Sequence, residues 1–261
     1  MYEPVEIQIS EKYLEKVFKL IKGNICLLGG WAVYHIVNKN FEETTGRKYI
    51  GSRDIDIGFH IDKNWTEQQL KKSEFCTAIR QIENMGFISV SFRLVKDFNI
   101  ETGKELTPAE SAKLPQYQIF NLFVDPVVDY IHPKIKPLLG FVPIDEPLLS
   151  LVFTEKLSTT TSLFGTNILL PKTHVLLAMK LNSVVNRDQE HKRIKDIADI
   201  YALLWHSDIK ITKLKDDLLS IYPEEKARKT TRDFTKEEIE RVSTAIGVNT
   251  REIARVLAEL R

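Results

Sequence analysis

The hydrophobic period of the sequence changes at Pro171, and that change narrows the possible folds further than any other feature. Upstream, apolar residues come in short runs and alternations; downstream they recur at helical spacing. Residues 54–61 read Asp, Ile, Asp, Ile, Gly, Phe, His, Ile, the period-two signature of a strand. The apolar run 25–28 reads as a short buried strand, and further strands are expected at 87–95, 118–124 and 167–170, with a polar loop from Lys96 to Pro115 and a strand end at Pro126. Helices are expected over 10–22 with Ser10 as cap, from Trp31 to about Asn38, and over 66–85 with Gly86 as stop. Beyond Pro171, residues 173–185 and 192–205 are the clearest helices, and three shorter ones are expected around 214–221, 235–246 and 249–260. Strands crowd the first two-thirds and helices the last third. The pattern predicts an α/β (α+β) chain, with a mixed-sheet domain over residues 1–171 and a helical domain over 172–261.

Composition removes several classes of function. The apolar share of 43% and charged share of 28% belong to an ordinary globular protein rather than a disordered one. A net charge of +1 argues against a uniformly basic nucleic-acid binder and leaves room for a local basic groove. Cys26 and Cys76 form no CxxC and no cluster with histidine, so a structural zinc site is not expected. The charged start MYEPVEIQISEKYLEK has no signal-peptide core, and no run reaches the ~18 apolar residues of a membrane span. The expectation is a cytoplasmic protein with no membrane partner.

Asp54 and Asp56 carry the chemistry. Two residues apart on a strand, their side chains project from one face. Carboxylates held that close repel, and a divalent cation removes the cost; magnesium takes one or two carboxylates together with substrate phosphates. Gly29-Gly30 lies between a strand and a helix, where glycine lets the backbone approach an anion and the helix start offers free amides. Ser52 can add a hydroxyl donor, and Arg53 either reaches a phosphate or faces the opposite side. Singly, each feature is common in structural roles. A strand ending in Gly-Gly, then a helix, a loop and Ser-x-Asp-x-Asp on a strand, is a far more specific combination.

The segments LLGGWAVY and GSRDIDIGF resemble the signature of the DNA polymerase β-like nucleotidyltransferase superfamily. Downstream, LAMKLNSVVNRDQEHKRIKDIADIYALL resembles the helical region of AbiEii-like nucleotidyltransferases, which include MenT-like toxins. The matching positions there are Lys180, Arg187, Lys195, Asp196 and Asp199, and the whole resemblance spans about residues 20–206. It implies a nucleotidyltransferase catalytic domain that moves a nucleoside monophosphate from a nucleoside triphosphate to an acceptor hydroxyl. The acceptor would be an RNA end, such as that of tRNA, or a protein side chain, and an antitoxin protein would be a partner.

In that scheme Asp54 and Asp56 hold Mg2+ (or Mn2+), Gly29, Gly30, Ser52 and Arg53 contact the nucleotide, and Lys180 or Lys195, with Asp196, serve the reaction. A third acid on a neighbouring strand completes the ion's ligands or takes the acceptor's proton. Asp125 is the choice in QIFNLFVDPVVDY; Asn121 shares its face, and Asp129 lies past Pro126. If Asn121 were the true counterpart, the proton acceptor would be missing and the chain would be a catalytically weakened nucleotide-binding or interaction module. A neutral reading of the downstream helix is a surface laced with ion pairs, such as Lys195 with Asp199. His35, His60, His191 and Trp31 read as packing or solvated residues, and AIGVNTREIARVLAEL reads as a packing helix despite a weak likeness to a helix-turn-helix.

Overall fold

The computed structural model describes residues 2–261. The chain folds as two compact units: a sheet unit of Tyr2–Leu28 and Gly51–Leu170, and a helical unit of Gly29–Ile50 and Pro171–Arg261. A mixed sheet followed by a helical region is the class that the change of period predicts. The segment that follows Leu28 groups with the C-terminal helices rather than with the sheet.

In the sheet unit, α1 (Pro4–Leu20) starts six residues before the expected cap. Proline suits the first turn, where a helix has no use for the missing N–H, and Glu3 and Glu6 cap one another's backbone. Ser10 is buried within the helix. Next come β1 (Cys26–Leu27), α2 (Gly29–Thr45) of the helical unit, and β2 (Ile55–Phe59). The single helix expected over 66–85 is two, α3 (Glu67–Lys72) and α4 (Glu74–Asn84). Ser73 separates them: its backbone is extended at ψ 158°, and its hydroxyl accepts from the Cys76 N–H to cap α4.

The strand expected over 87–95 is a hairpin, β3 (Ile88–Val90) and β4 (Arg93–Asn99), turning at Ser91 and Phe92 with Ser91 at φ +58°. After the short α5 (Pro108–Ser111) come β5 (Ile119–Val128), α6 (Ile135–Leu139), β6 (Ile144–Asp145), α7 (Leu149–Phe153), β7 (Ser158–Leu163) and β8 (Thr166–Pro171). Strand order is β3-β4-β5-β2-β1-β8-β7, with β6 paired to β5. The centre is β5 parallel to β2, with β1 antiparallel to β2 on one side and β4 antiparallel to β5 on the other.

β5 continues through Pro126 instead of stopping there. On its outer edge β4 pairs residues 119–124 and β6 pairs 127–128, so proline falls in the gap where that edge has no ladder bond to lose. The core of the unit is Leu14, Val17 and Phe18 of α1 with Ile55, Ile57, Phe59, Phe120, Leu122 and Val124 of the central strands, each at most 1% exposed.

The helical unit comprises α2 with α8 (Thr173–Val185), α9 (Glu190–His206), α10 (Ile211–Leu219), α11 (Glu224–Arg232), α12 (Lys236–Ile246) and α13 (Thr250–Ala258). α9 is its axis and packs on α2, α8, α10, α12 and α13. Ile197, Ala198, Ile200, Tyr201, Ala202 and Leu203 of α9 have no exposed surface. Among the described residues no helix is long and apolar enough to cross a membrane.

Candidate active site

The parallel pairing of β2 with β5 sets Asp56 directly opposite Asp125. Asp54 lies just before β2, two residues ahead of Asp56 and therefore on its parity. Arg93, the first residue of β4, joins these acids. Its Nε donates to Asp125 Oδ1 at 2.7 Å, and its Nη2 donates to Asp125 Oδ2 at 2.5 Å and to Asp54 Oδ2 at 3.0 Å. The guanidinium also lies over the Phe123 ring, 3.8 Å from its centroid.

Burial pushes the Asp125 carboxyl up to about 7; Arg93 pulls it down, and the charges of Asp56 and Asp54 push it up again. Burial also works against the charge on Arg93, but its bonds to Asp125 and Asp54 outweigh that and raise its pKa. Burial is thus the main reason the Asp125 carboxyl is raised, with Arg93 acting against it.

The other candidates for the third acid lie elsewhere on β5. Asn121 pairs with Asp97 and donates to its carboxylate at 2.7 Å. Asp129 lies beyond the strand's last paired residue, where its Oδ1 accepts the Ile61 N–H at 2.8 Å and its Oδ2 lies 2.5 Å from His60 Nδ1. Asp125 is the residue on this strand that the pairing brings beside Asp56.

The expected nucleotide contacts are distributed as follows. The Leu28 N–H donates to the Asp56 carbonyl at 3.0 Å, so the residue before Gly29 is tied to the backbone of the second aspartate. Gly29 opens α2 with φ +61°, a conformation that favours glycine, and Gly30 is buried. Ser52 is buried. Arg53 turns to α1: its Nη2 is 2.9 Å from Glu6 Oε1 and its guanidinium lies over Phe120. Trp31 is 1% exposed and packs edge-on to Tyr34.

No group of three or more His, Cys, Asp and Glu side chains among the described residues is arranged to hold a metal. The donor chemistry of Asp54, Asp56 and Asp125 is nonetheless that of a hard divalent cation, carboxylate oxygens brought together at one end of the pairing of β2 with β5. What the arrangement lacks is Asp125 free to turn to an ion, because both its oxygens accept from Arg93. Arg93 is the residue that sequence reasoning passed over. It stands in the stretch FISVSFRLV among two serines and apolar residues, and only the antiparallel pairing of β4 with β5 reveals which acid it meets.

The helical unit gathers Lys180, Arg187, Lys195, Asp196 and Asp199 into one cluster. Lys180 Nζ lies 2.7 Å from both Asp196 Oδ1 and Asp199 Oδ2. Arg187 Nε donates to Asp196 Oδ2 at 2.6 Å, and the Ser183 hydroxyl adds a bond of 3.0 Å. Lys195 pairs with Asp199, which also accepts from the Tyr49 hydroxyl at 2.8 Å. Lys180, Lys195, Asp196 and Asp199 are buried, so the cluster is an interior one rather than the ion-pair lacing of a surface helix. Burial works against the Asp196 charge, but Lys180 and Arg187 hold its carboxyl down at about 2. The Lys180 pKa is raised, since Asp196 and Asp199 outweigh the burial of its ammonium; for Lys195 burial prevails and the pKa is lowered.

Three chains of solved structures match this chain. One is an antigenic nucleotidyltransferase-like protein from Paracoccidioides brasiliensis, 14% identical, covering 84% of this chain and 89% of that one, with a TM-score of 0.34. No curated protein matches. The family described as "Nucleotidyl transferase AbiEii toxin, Type IV TA system" matches residues 50–256, which include the paired aspartates, Arg93 and the buried cluster of the helical unit. With that match extending over most of its length, the chain belongs to the nucleotidyl transferase AbiEii toxin family.

Proposed function

We propose that the protein transfers a nucleoside monophosphate from a nucleoside triphosphate to an acceptor hydroxyl and releases pyrophosphate. The observation that carries this reading is the opposition of Asp56 and Asp125 on β2 and β5, with Asp54 two residues away, in a chain of this family. Asp54 and Asp56 would hold Mg2+ or Mn2+, with Asp125 as a third oxygen donor or as the base that takes the acceptor's proton. Its carboxyl, pushed up to about 7, suits a base working near neutral pH. A divalent ion, when bound, supplies positive charge to the triphosphate and to the departing pyrophosphate.

The amides of Gly29 and Gly30 and the hydroxyl of Ser52 are the groups assigned to the phosphates. Support for the glycines is the positive φ of Gly29 and their place at the start of a helix. Lys180, Lys195 and Asp196 act in this reading as positioning residues, because their charges are matched inside the helical unit. The acceptor is an RNA end or a protein side chain, and an antitoxin protein would restrain the activity in the cell.

The test is incubation with α-labelled nucleoside triphosphates, Mg2+ and total RNA, followed by separation of RNA from protein. Label on either acceptor, lost to the level of a no-enzyme control in Asp54→Ala and Asp56→Ala, is the expected result. Label that survives both substitutions overturns the assignment. A second reading, a nucleotide-binding module without turnover, is favoured by the two bonds from Arg93 to Asp125; magnesium-dependent nucleotide binding with no label on any acceptor would select it.

A further inference from the structure

Arg93 occupies the place where a cation is needed. The hairpin of β3 and β4 closes in two residues, so the side chain that starts β4 lies one position beyond the Leu94–Val124 pair, beside Asp125. Its planar fork takes both oxygens of Asp125 and reaches Asp54 as well, while one face is covered by Phe123. The side chain is only 15% exposed. A lysine in its place would offer one point charge; the guanidinium spans two carboxylates at once.

We propose that Arg93 is a built-in counter-ion that competes with the divalent cation, so that the ion binds only as the guanidinium releases Asp54 or Asp125. The proposal rests on the reading of Asp54, Asp56 and Asp125 as the ion's ligands. Two opposing requirements produce the competition. Without any cation the acids repel one another and the pocket is costly to fold. With the guanidinium in place, an arriving ion meets a like charge on the ligands it must share. The protein would thus fold without metal and acquire it at a reduced affinity.

Direct titration with Mn2+ in the absence of nucleotide tests this, with free Mn2+ followed by electron paramagnetic resonance on the full chain. Arg93→Gln removes the charge and leaves a shorter amide side chain that can still donate a hydrogen bond. It is expected to bind Mn2+ about tenfold more tightly than the parent, equivalent to about 1.4 kcal/mol. It is also expected to melt at a lower temperature without metal and to recover with it. Arg93→Lys, the fallback if the glutamine variant does not fold, cannot bridge Asp54 and Asp125 and is expected to gain affinity by a smaller factor. Unchanged or weaker Mn2+ binding in the folded variant overturns the competition. If Asp56→Asn still abolishes binding in that case, the carboxylate site stands and only the role of Arg93 falls. If Mn2+ binding survives Asp56→Asn, the ion lies elsewhere, and both the ligand assignment and the role of Arg93 fail.

Discussion

Lys180 shows how far a residue's surroundings can differ from those its motif implies. Its motif implies a cation aimed at a triphosphate, yet its ammonium is buried between Asp196 and Asp199. Breaking a buried ion cluster leaves an uncompensated charge, which costs about 3–5 kcal/mol. Lys180→Met is therefore expected to lower the free energy of unfolding by about that amount in denaturant titrations. A lysine devoted to phosphate would lose nucleotide affinity with the unfolding midpoint unchanged, and that result would refute the bracing role. The shared parity of Asp54 and Asp56 and the place of Gly29-Gly30 at a helix start were legible because each depends on a spacing of one or two residues. Arg93 and the interior placement of Lys180 were not, because each depends on which distant carboxylate the fold delivers. Arg53 shows the same limit: it adjoins Asp54 in the chain and forms its ion pair with Glu6 on α1.

At the scale of elements, the alternation over residues 54–61 identified β2 because one strand face is apolar and the other carries the acids. β7 escaped notice because its residues, STTTSL, are polar up to Leu163 and none is buried, leaving no apolar face to read. α11 escaped because EEKARKTTR buries little beyond Ala227 and two threonines. The split of α3 from α4 at Ser73 was hidden by a continuous apolar stripe, which says nothing about where the backbone turns. Gly58 shows how tightly the central strand is covered. A Cβ added there would lie 2.9 Å from a Leu28 methyl and 3.0 Å from a Leu149 methyl, both on buried side chains. Gly58→Ala is expected to destabilise the protein by about 1–3 kcal/mol through overpacking. Because Gly58 lies two residues from Asp56, the strain should also reduce the proposed nucleotidyl transfer by more than the lost folded fraction. Unfolding curves that superimpose on those of the parent would show that the leucines yield freely.

For the whole molecule, acid separates the two units by the sign of their response. Burial lowers the pKa values of His35, to about 4, and of His174 and His206, so these helical-unit histidines are neutral where an unfolded chain would begin to protonate. Between the ordinary histidine value near 6.5 and the depressed one, the unfolded state binds more protons than the native state. The stability they contribute is therefore present above about 6.5 and is lost as pH falls towards about 4, with His35 accounting for at most about 3 kcal/mol. Asp196, held down at about 2, stays ionised across this window and does not mask it. Asp125 in the sheet unit runs the other way. Its raised carboxyl contributes stability that is complete below the ordinary aspartate range and disappears as pH rises through about 7. Hydrogen exchange resolved along the chain measures each unit by itself. Between pH 7 and pH 5, corrected for intrinsic rates, α2, α8 and α9 are expected to lose protection while β2 and β5 hold or gain it. His35→Gln should remove part of the loss in α2, since glutamine cannot take up the proton that drives it. Equal loss in both units would mean that acid acts on the fold as a whole rather than through these buried groups, and protection in α2 that falls as steeply in His35→Gln would remove His35 from the account.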